Sequence, residues 1–176
     1  VNGDCATGET CNTTSYTCEA GTPTCTNNGF TAAVSWTEAE AGTYLGHTGS
    51  SAAAYPTNFL AIEIYDGMGD PQPPLGPGSY PLAANVDEQN YATCGTCVLV
   101  RQNCTSTGCG RTFLATGGTL NITATGDVGD TFAGSLSNVT LQEVTIASGT
   151  YVSTPVSGGQ TWCVPSYTFS NVIEAP

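Results

Sequence analysis

The sequence predicts an all-β protein: an antiparallel β-sandwich of jelly-roll or Ig-like type over residues 29–176, behind a disulfide-stapled N-terminal arm over residues 1–28. Three observations predict it. Only 9% of the 176 residues are charged, and the polarity comes instead from Thr, Ser, Asn and Gly, which suit strands and turns rather than helix faces. Apolar residues fall in short clusters between Gly- and Pro-rich turns, the rhythm of a sandwich or barrel. Nine cysteines without a metal or haem-attachment signature point to an oxidising compartment, where disulfides persist.

The elements follow in order. The arm carries Cys5, Cys11, Cys18 and Cys25 among Thr, Gly and Asn, with almost no apolar core, so disulfides are expected to hold it. Strands are expected at Phe30–Trp36 and Asn58–Tyr65; in the second, Leu60, Ile62 and Ile64 alternate with Ala61, Glu63 and Tyr65, setting an apolar file inward and Glu63 on the other face. A long loop from Asp66 to Gly78 ends this strand, because proline lacks the amide hydrogen a ladder needs. Further strands are expected at Ser79–Leu82, Tyr91–Arg101, Arg111–Leu114 and Thr119–Thr125. In Thr131–Ile146 the apolar phase slips near Ser137-Asn138 and near Gln142-Glu143, which predicts bulges or a bend. The last strand, Thr161–Phe169, is expected to set Cys163, Tyr167 and Phe169 on one face and Trp162 and Val164 on the other.

Charge excludes whole classes of partner. A net charge of -12, with two Arg and no Lys, leaves no basic surface for nucleic acid or anionic lipid. No apolar run approaches the roughly 20 residues of a membrane-spanning helix. The chain starts at Val1 without a basic stretch followed by an apolar one, so an export signal is expected to have been removed.

Catalytic patterns are sparse, and no enzyme activity is expected. His47 is the single histidine, no nucleophile elbow occurs, and the lack of Lys removes Schiff-base and phosphate-loop chemistry. Carboxylate pairs such as Glu38 with Glu40, or Glu63 with Asp66, could serve glycoside hydrolysis, a chemistry that depends on a separation the sequence does not give. The nine cysteines are read as structural. Cys94-Gly95-Thr96-Cys97 lacks a matching second zinc half-site, and Cys104 and Cys109 bracket a short loop that a disulfide would close at its base. Cys163 is expected to tie the last strand to the Cys94–Cys109 cluster. An odd count leaves one cysteine over, which implies a bond to a second chain, a free thiol or a partner lost with a removed segment; the arm is the expected place of an intermolecular bond.

Asp66, Asp70 and Asp87, around the Pro-rich loop, form a candidate calcium site, since calcium prefers oxygen ligands; their spacing is not that of the twelve-residue helix-loop-helix site. No other cofactor is expected. Glycosylation sequons occur at Asn12, Asn103, Asn121 and Asn138. Trp36, Trp162 and the eight Tyr could supply either core aromatics or a carbohydrate platform.

The stretches Tyr91–Val100, Phe113–Leu120, Leu136–Val144 and Thr154–Gly159, with the arm's Gly8-Glu9-Thr10-Cys11, resemble a group of secreted cysteine-rich β-domain proteins of myxobacteria. The resemblance implies an extracellular bacterial β protein, in which N-glycans on the sequons are less expected, and it transfers no catalytic residue.

The functional expectation is a non-catalytic extracellular structural protein that self-assembles into a fibre or surface layer, by arm docking or an intermolecular disulfide. The second expectation is a monomeric adhesin or a carbohydrate- or protein-binding module at the loop Asp66–Gly78, with or without calcium. A secreted hydrolase using Glu63 or His47 stands third.

Overall fold

The computed structural model describes residues 9–12, 17–20, 24–40, 43–65, 67–69 and 76–176. Its elements are β1 (Glu9–Asn12), β2 (Thr17–Ala20), β3 (Asn27–Asn28), β4 (Val34–Glu40), β5 (Tyr44–Ser50), β6 (Thr57–Tyr65), β7 (Gly78–Pro81), β8 (Thr96–Cys104), β9 (Arg111–Ala124), β10 (Thr131–Ile146), β11 (Ser153–Pro155) and β12 (Thr161–Glu174). The protein is all-β, and the described residues include no helix.

β1 and β2 form a two-stranded antiparallel sheet of their own, in which Cys11 and Cys18 are register partners. The other strands form one ten-stranded sheet. Its pairings run β4–β5–β6–β8–β9–β10–β12 and return from β12 to β4, so the ladder closes into a ring. β7 pairs outside the ring on β9, and β11 on β10.

The sheet is mixed, where the sequence led us to expect antiparallel pairing throughout. β3 pairs in parallel with β12 at Trp162 and Cys163, and β4 does so at Ile173 and Glu174. The reason is covalent as well as conformational. The disulfide Cys25–Cys163 pins the chain beside the start of β12, and residues 27–38 then run along β12 in its own direction. Thr26 and Thr161 exchange backbone-to-hydroxyl bonds at that end, and Ser35 bonds Asn171 further along. Residues 24–28 are thus tied to the main sheet.

Strand limits depart from expectation where local polar groups compete with the ladder. Tyr91–Cys94 is a turn rather than the start of a strand, because the Asn90 carbonyl accepts the Thr93 and Cys94 amides and its side chain accepts the Ala92 amide. The segments Arg111–Leu114 and Thr119–Thr125 join into one strand, β9. It passes Gly118 at φ +111°, where a Cβ would lie 2.6 Å from the Val139 Cα. β10 has the expected limits, and its register shifts between Ser137 and Thr140 as expected; it also shifts at Ala133/Gly134 and at Thr140/Leu141, whereas no shift occurs at Gln142-Glu143. β12 extends to Glu174, and its phase slips at Pro165-Ser166 opposite the Asn138 bulge, so Trp162 and Val164 reach the same core as Tyr167 and Phe169. β5 has no counterpart among the expected strands.

The core fills the ring. The inward file of β6, Leu60, Ile62 and Ile64, packs with Val98, Val100, Phe113, Leu120, Phe132, Leu136, Leu141 and Val164. Each such side chain contributes roughly 1.5–3 kcal/mol by leaving water. A second apolar cluster, Cys94, Cys97, Leu99, Leu114 and Val144 with Tyr65, Tyr91 and Ile146 against it, lies on the opposite face of β6, β8 and β9, under residues 91–95.

Candidate binding site

The period of two along β6 that sends Leu60, Ile62 and Ile64 into the core places Phe59, Ala61, Glu63 and Tyr65 on the outer face. Register sets their neighbours. Glu63 stands between Gly46 of β5 and Cys97 of β8, Tyr65 beside Tyr44, and Phe59 beside Arg101. A Cβ on Gly46 would overlap the Tyr44 phenol, so the glycine opens the space over which Tyr44 lies. The Tyr44 and Tyr65 rings are 5.3 Å apart.

Residues 83–95 bring the remaining groups. The buried Glu88 carboxylate accepts the Gly95 and Thr96 amides, each at 3.1 Å, and the Tyr65 amide donates to the Gly95 carbonyl at 2.8 Å. Gly95 also lies against the backbone of Met68 and Gly69, an approach any side chain there would block. The Cys94–Cys97 disulfide closes this turn. On the far side the Tyr91 amide donates to Ser153 Oγ and the Ser153 amide to Asn90 Oδ1, both at 3.1 Å, which sets the Tyr151 ring edge-on to Tyr91 at 6.4 Å.

These elements converge on Glu63, only 7% exposed. Its Oε2 accepts the Tyr91 hydroxyl at 2.8 Å and the Tyr65 hydroxyl at 3.0 Å, while Oε1 faces Arg101 Nη2 at 3.4 Å. Burial, and the carboxylate they surround, push the Tyr44 and Tyr65 phenols above the ordinary tyrosine range; Tyr91 is also raised, by burial first, against its bond with Tyr65. Tyr65 and Tyr91 stay protonated, as donors to a carboxylate must.

Beside this network Tyr65, Met68, Tyr91, Ala92 and Tyr151 line a pocket of about 290 Å³. Further along the same face Phe59 meets Trp36 and Tyr55 edge-on, each at 6.3 Å. Phe59 and Tyr65 are six positions apart, about 20 Å at strand rise, so the face carries aromatic groups at both ends of an acidic and basic middle. This arrangement can hold a small apolar or cationic group against aromatic rings.

The other sequence candidates fall elsewhere. Cys25 bonds Cys163, so Cys163 ties β12 to the N-terminal segment and not to the Cys94–Cys109 cluster, because residues 24–28 run beside it. Cys104 bonds Cys109 across the base of its loop. Cys5 lies outside the described residues. Asp66 and Asp70 do so as well, while Asp87 is exposed in a turn where its amide donates to Asn85 Oδ1. Among the described residues no three His, Cys, Asp or Glu side chains are grouped to hold a metal. A second acidic turn in the sequence, Asp127-Val128-Gly129-Asp130, is locally used, the Asp127 amide donating to Asp130 Oδ2. Asn103 and Asn138 are exposed, Asn121 is half-buried within β9, and Asn12 is in β1.

His47 is a core residue. It is fully buried, stacks on Phe169 at 4.7 Å, and hydrogen bonds Thr37 Oγ1 at 3.2 Å and the Tyr167 hydroxyl at 2.9 Å. Burial holds its pKa down at about 4. Trp162 is also buried, its indole N–H donating to the Gly29 carbonyl, whereas Trp36 reaches the surface.

Sequence reasoning missed the grouping of Tyr44, Tyr65, Tyr91 and Tyr151. The outward phase of β6 was a signal for Tyr65 beside Glu63; Tyr91 and Tyr151 arrive through long-range bonds with no local signature. Compared with protein-family models, with curated proteins and with solved structures, the chain matches none of them.

Proposed function

We propose that the protein is a secreted, non-catalytic recognition module that binds an exposed group of an extracellular partner in the tyrosine-lined pocket. The observation that carries this reading is the convergence of Tyr65, Tyr91 and Tyr151 on one pocket, with Glu63 holding two of their hydroxyls. Three disulfides among the described residues fit an oxidising, extracellular setting, as does the resemblance of Tyr91–Val100 and the other quoted stretches to secreted myxobacterial β-domain proteins. The ring takes the two-layered form of a jelly-roll or Ig-like sandwich in this reading. Long strands that change neighbours support it, since β9 bonds β8 through residues 111–114 and β7 through residues 119–122.

Ring closure favours recognition over growth by strand addition. The described edges of the main sheet are short: β7 has four residues and ends at Pro81, and β11 has three and ends at Pro155. Short edges with proline are poor templates for a further strand. The test is binding of the full chain to glycan and peptide arrays, beside Tyr151→Ala, which alters an exposed pocket wall. Signals lost in the variant support the reading; no binding, or identical profiles, would overturn it.

Self-assembly through the N-terminal segment is the second reading, favoured by the separate β1–β2 sheet and by cysteine arithmetic. The three described disulfides use six of nine cysteines, leaving Cys5, Cys11 and Cys18, an odd number. Light scattering and electron microscopy, with and without reductant, test it. Uniform monomers in both conditions would exclude it.

A further inference from the structure

The pocket's chemistry is one-sided. Among the described residues its walls are the rings of Tyr65, Tyr91 and Tyr151, with Met68 and Ala92 beside them. Aromatic faces carry negative quadrupole density, and a thioether is polarisable, so the lining is apolar and favours positive charge. No Lys exists in the chain, and neither Arg lines the pocket. Both inner phenols are engaged within the protein, with Glu63 Oε2 at 3.0 and 2.8 Å and with each other at 3.2 Å.

The carboxylate adds to this. Glu63 is nearly excluded from water, whereas the Arg101 side chain that faces its other oxygen is 39% exposed, so solvent screens the cation more than the anion. The chain as a whole carries a net charge of -12. Among the described lining residues an anionic ligand meets no cationic side chain and faces a repulsive field, and a sugar meets few of the paired donors and acceptors that orient its hydroxyls. At about 290 Å³ the pocket also stands at the small end of ligand sites, of the size of a headgroup rather than a whole molecule.

From this geometry we infer that the pocket binds a quaternary ammonium group, with Tyr65, Tyr91 and Tyr151 as the cation's walls and Glu63 as the charge behind them. The inference rests on the recognition reading above and names its ligand class. Because a neighbouring phosphate would be repelled by the acidic surface, choline itself should bind better than phosphocholine.

Met68 lines the pocket and is the single methionine, so a methyl-¹³C methionine label places one NMR reporter at the site. The labelled full chain is titrated at fixed ionic strength with choline chloride, with phosphocholine, and with 3,3-dimethylbutan-1-ol, the uncharged carbon analogue of choline. A saturable Met68 shift with choline is expected, with affinity roughly tenfold weaker or less for the uncharged analogue and a similar loss in Tyr151→Ala, of the order that cation–π contacts provide. Glu63→Gln, which keeps the side-chain shape and one oxygen to accept the phenol hydroxyls, should weaken choline more than the uncharged analogue. Equal affinity for choline and its carbon analogue would overturn the ammonium assignment, as would no response to choline in a protein whose array binding depends on Tyr151; that second result would leave the recognition reading standing. Loss of array binding and of every titration response together would remove both.

Discussion

The Tyr91 hydroxyl donates a 2.8 Å hydrogen bond to the Glu63 carboxylate, joining the turn after β7 to the outer face of β6 across 28 residues of sequence. The bond is charge-assisted and largely shielded from water, which makes it a principal tie between the pocket wall and the sheet. Tyr91→Phe keeps the ring and removes the bond. We expect a loss of about 1.5–3 kcal/mol in urea unfolding, the range for hydrogen bonds to charged groups. A loss within about 0.3 kcal/mol of zero would mean that packing alone holds this turn.

His47 supplies a pH dependence with a definite sign. Its folded pKa of about 4 lies below the ordinary value of 6.5, so the unfolded chain binds the extra proton between these limits. The stabilisation is complete above pH 6.5 and declines as pH falls toward about 4. Its full size is on the order of 3 kcal/mol. Urea midpoints of the wild type and of His47→Gln, measured from pH 7 to pH 4, should converge at the acid end. Parallel curves would show that His47 does not titrate on unfolding.

The disulfides should differ in value according to the chain they close. Cys25–Cys163 spans 138 residues and Cys104–Cys109 spans five. Loop-closure entropy gives about 5 kcal/mol for the first and about 2 kcal/mol for the second. Paired Cys→Ser replacements compared by denaturant unfolding should preserve this order. Equal losses would argue that native contacts, and not restriction of the unfolded chain, set the contribution.

Gly118 is required by two features at once, a φ of +111° and the nearby Val139 backbone. Gly118→Ala should destabilise by about 2 kcal/mol or more, the scale of backbone strain combined with a steric shift. Gly76, where an added Cβ meets nothing within 4 Å, is the control and should change little. Comparable thermal midpoints for the two variants would contradict the crowding at the β9–β10 bulge.

Period-two alternation was enough to identify β6 and its inward file, because Leu60, Ile62 and Ile64 leave no second phase that buries them. The limits of β10 and its slip after Ser137 were legible for the same reason. The short Cys104–Cys109 loop was also local enough to anticipate. β5 escaped notice because Leu45, His47 and Gly49 make a weak apolar file, and His47 sits in the core through hydrogen bonds to Thr37 and Tyr167 and a stack on Phe169, all distant in sequence or on another strand.

By itself the sequence determined an acidic, lysine-free, disulfide-bearing β protein and the face on which Glu63 and Tyr65 stand. Tertiary structure alone decided that the ladder closes from β12 to β4, that Cys163 joins Cys25, and that Tyr91 and Tyr151 meet Tyr65. The physical reason is that alternation along a strand fixes which side a residue faces but carries no record of which strand lies next to it. Partner choice is made by contacts distant in sequence, such as the Ser153–Asn90 bond that brings Tyr151 to the pocket.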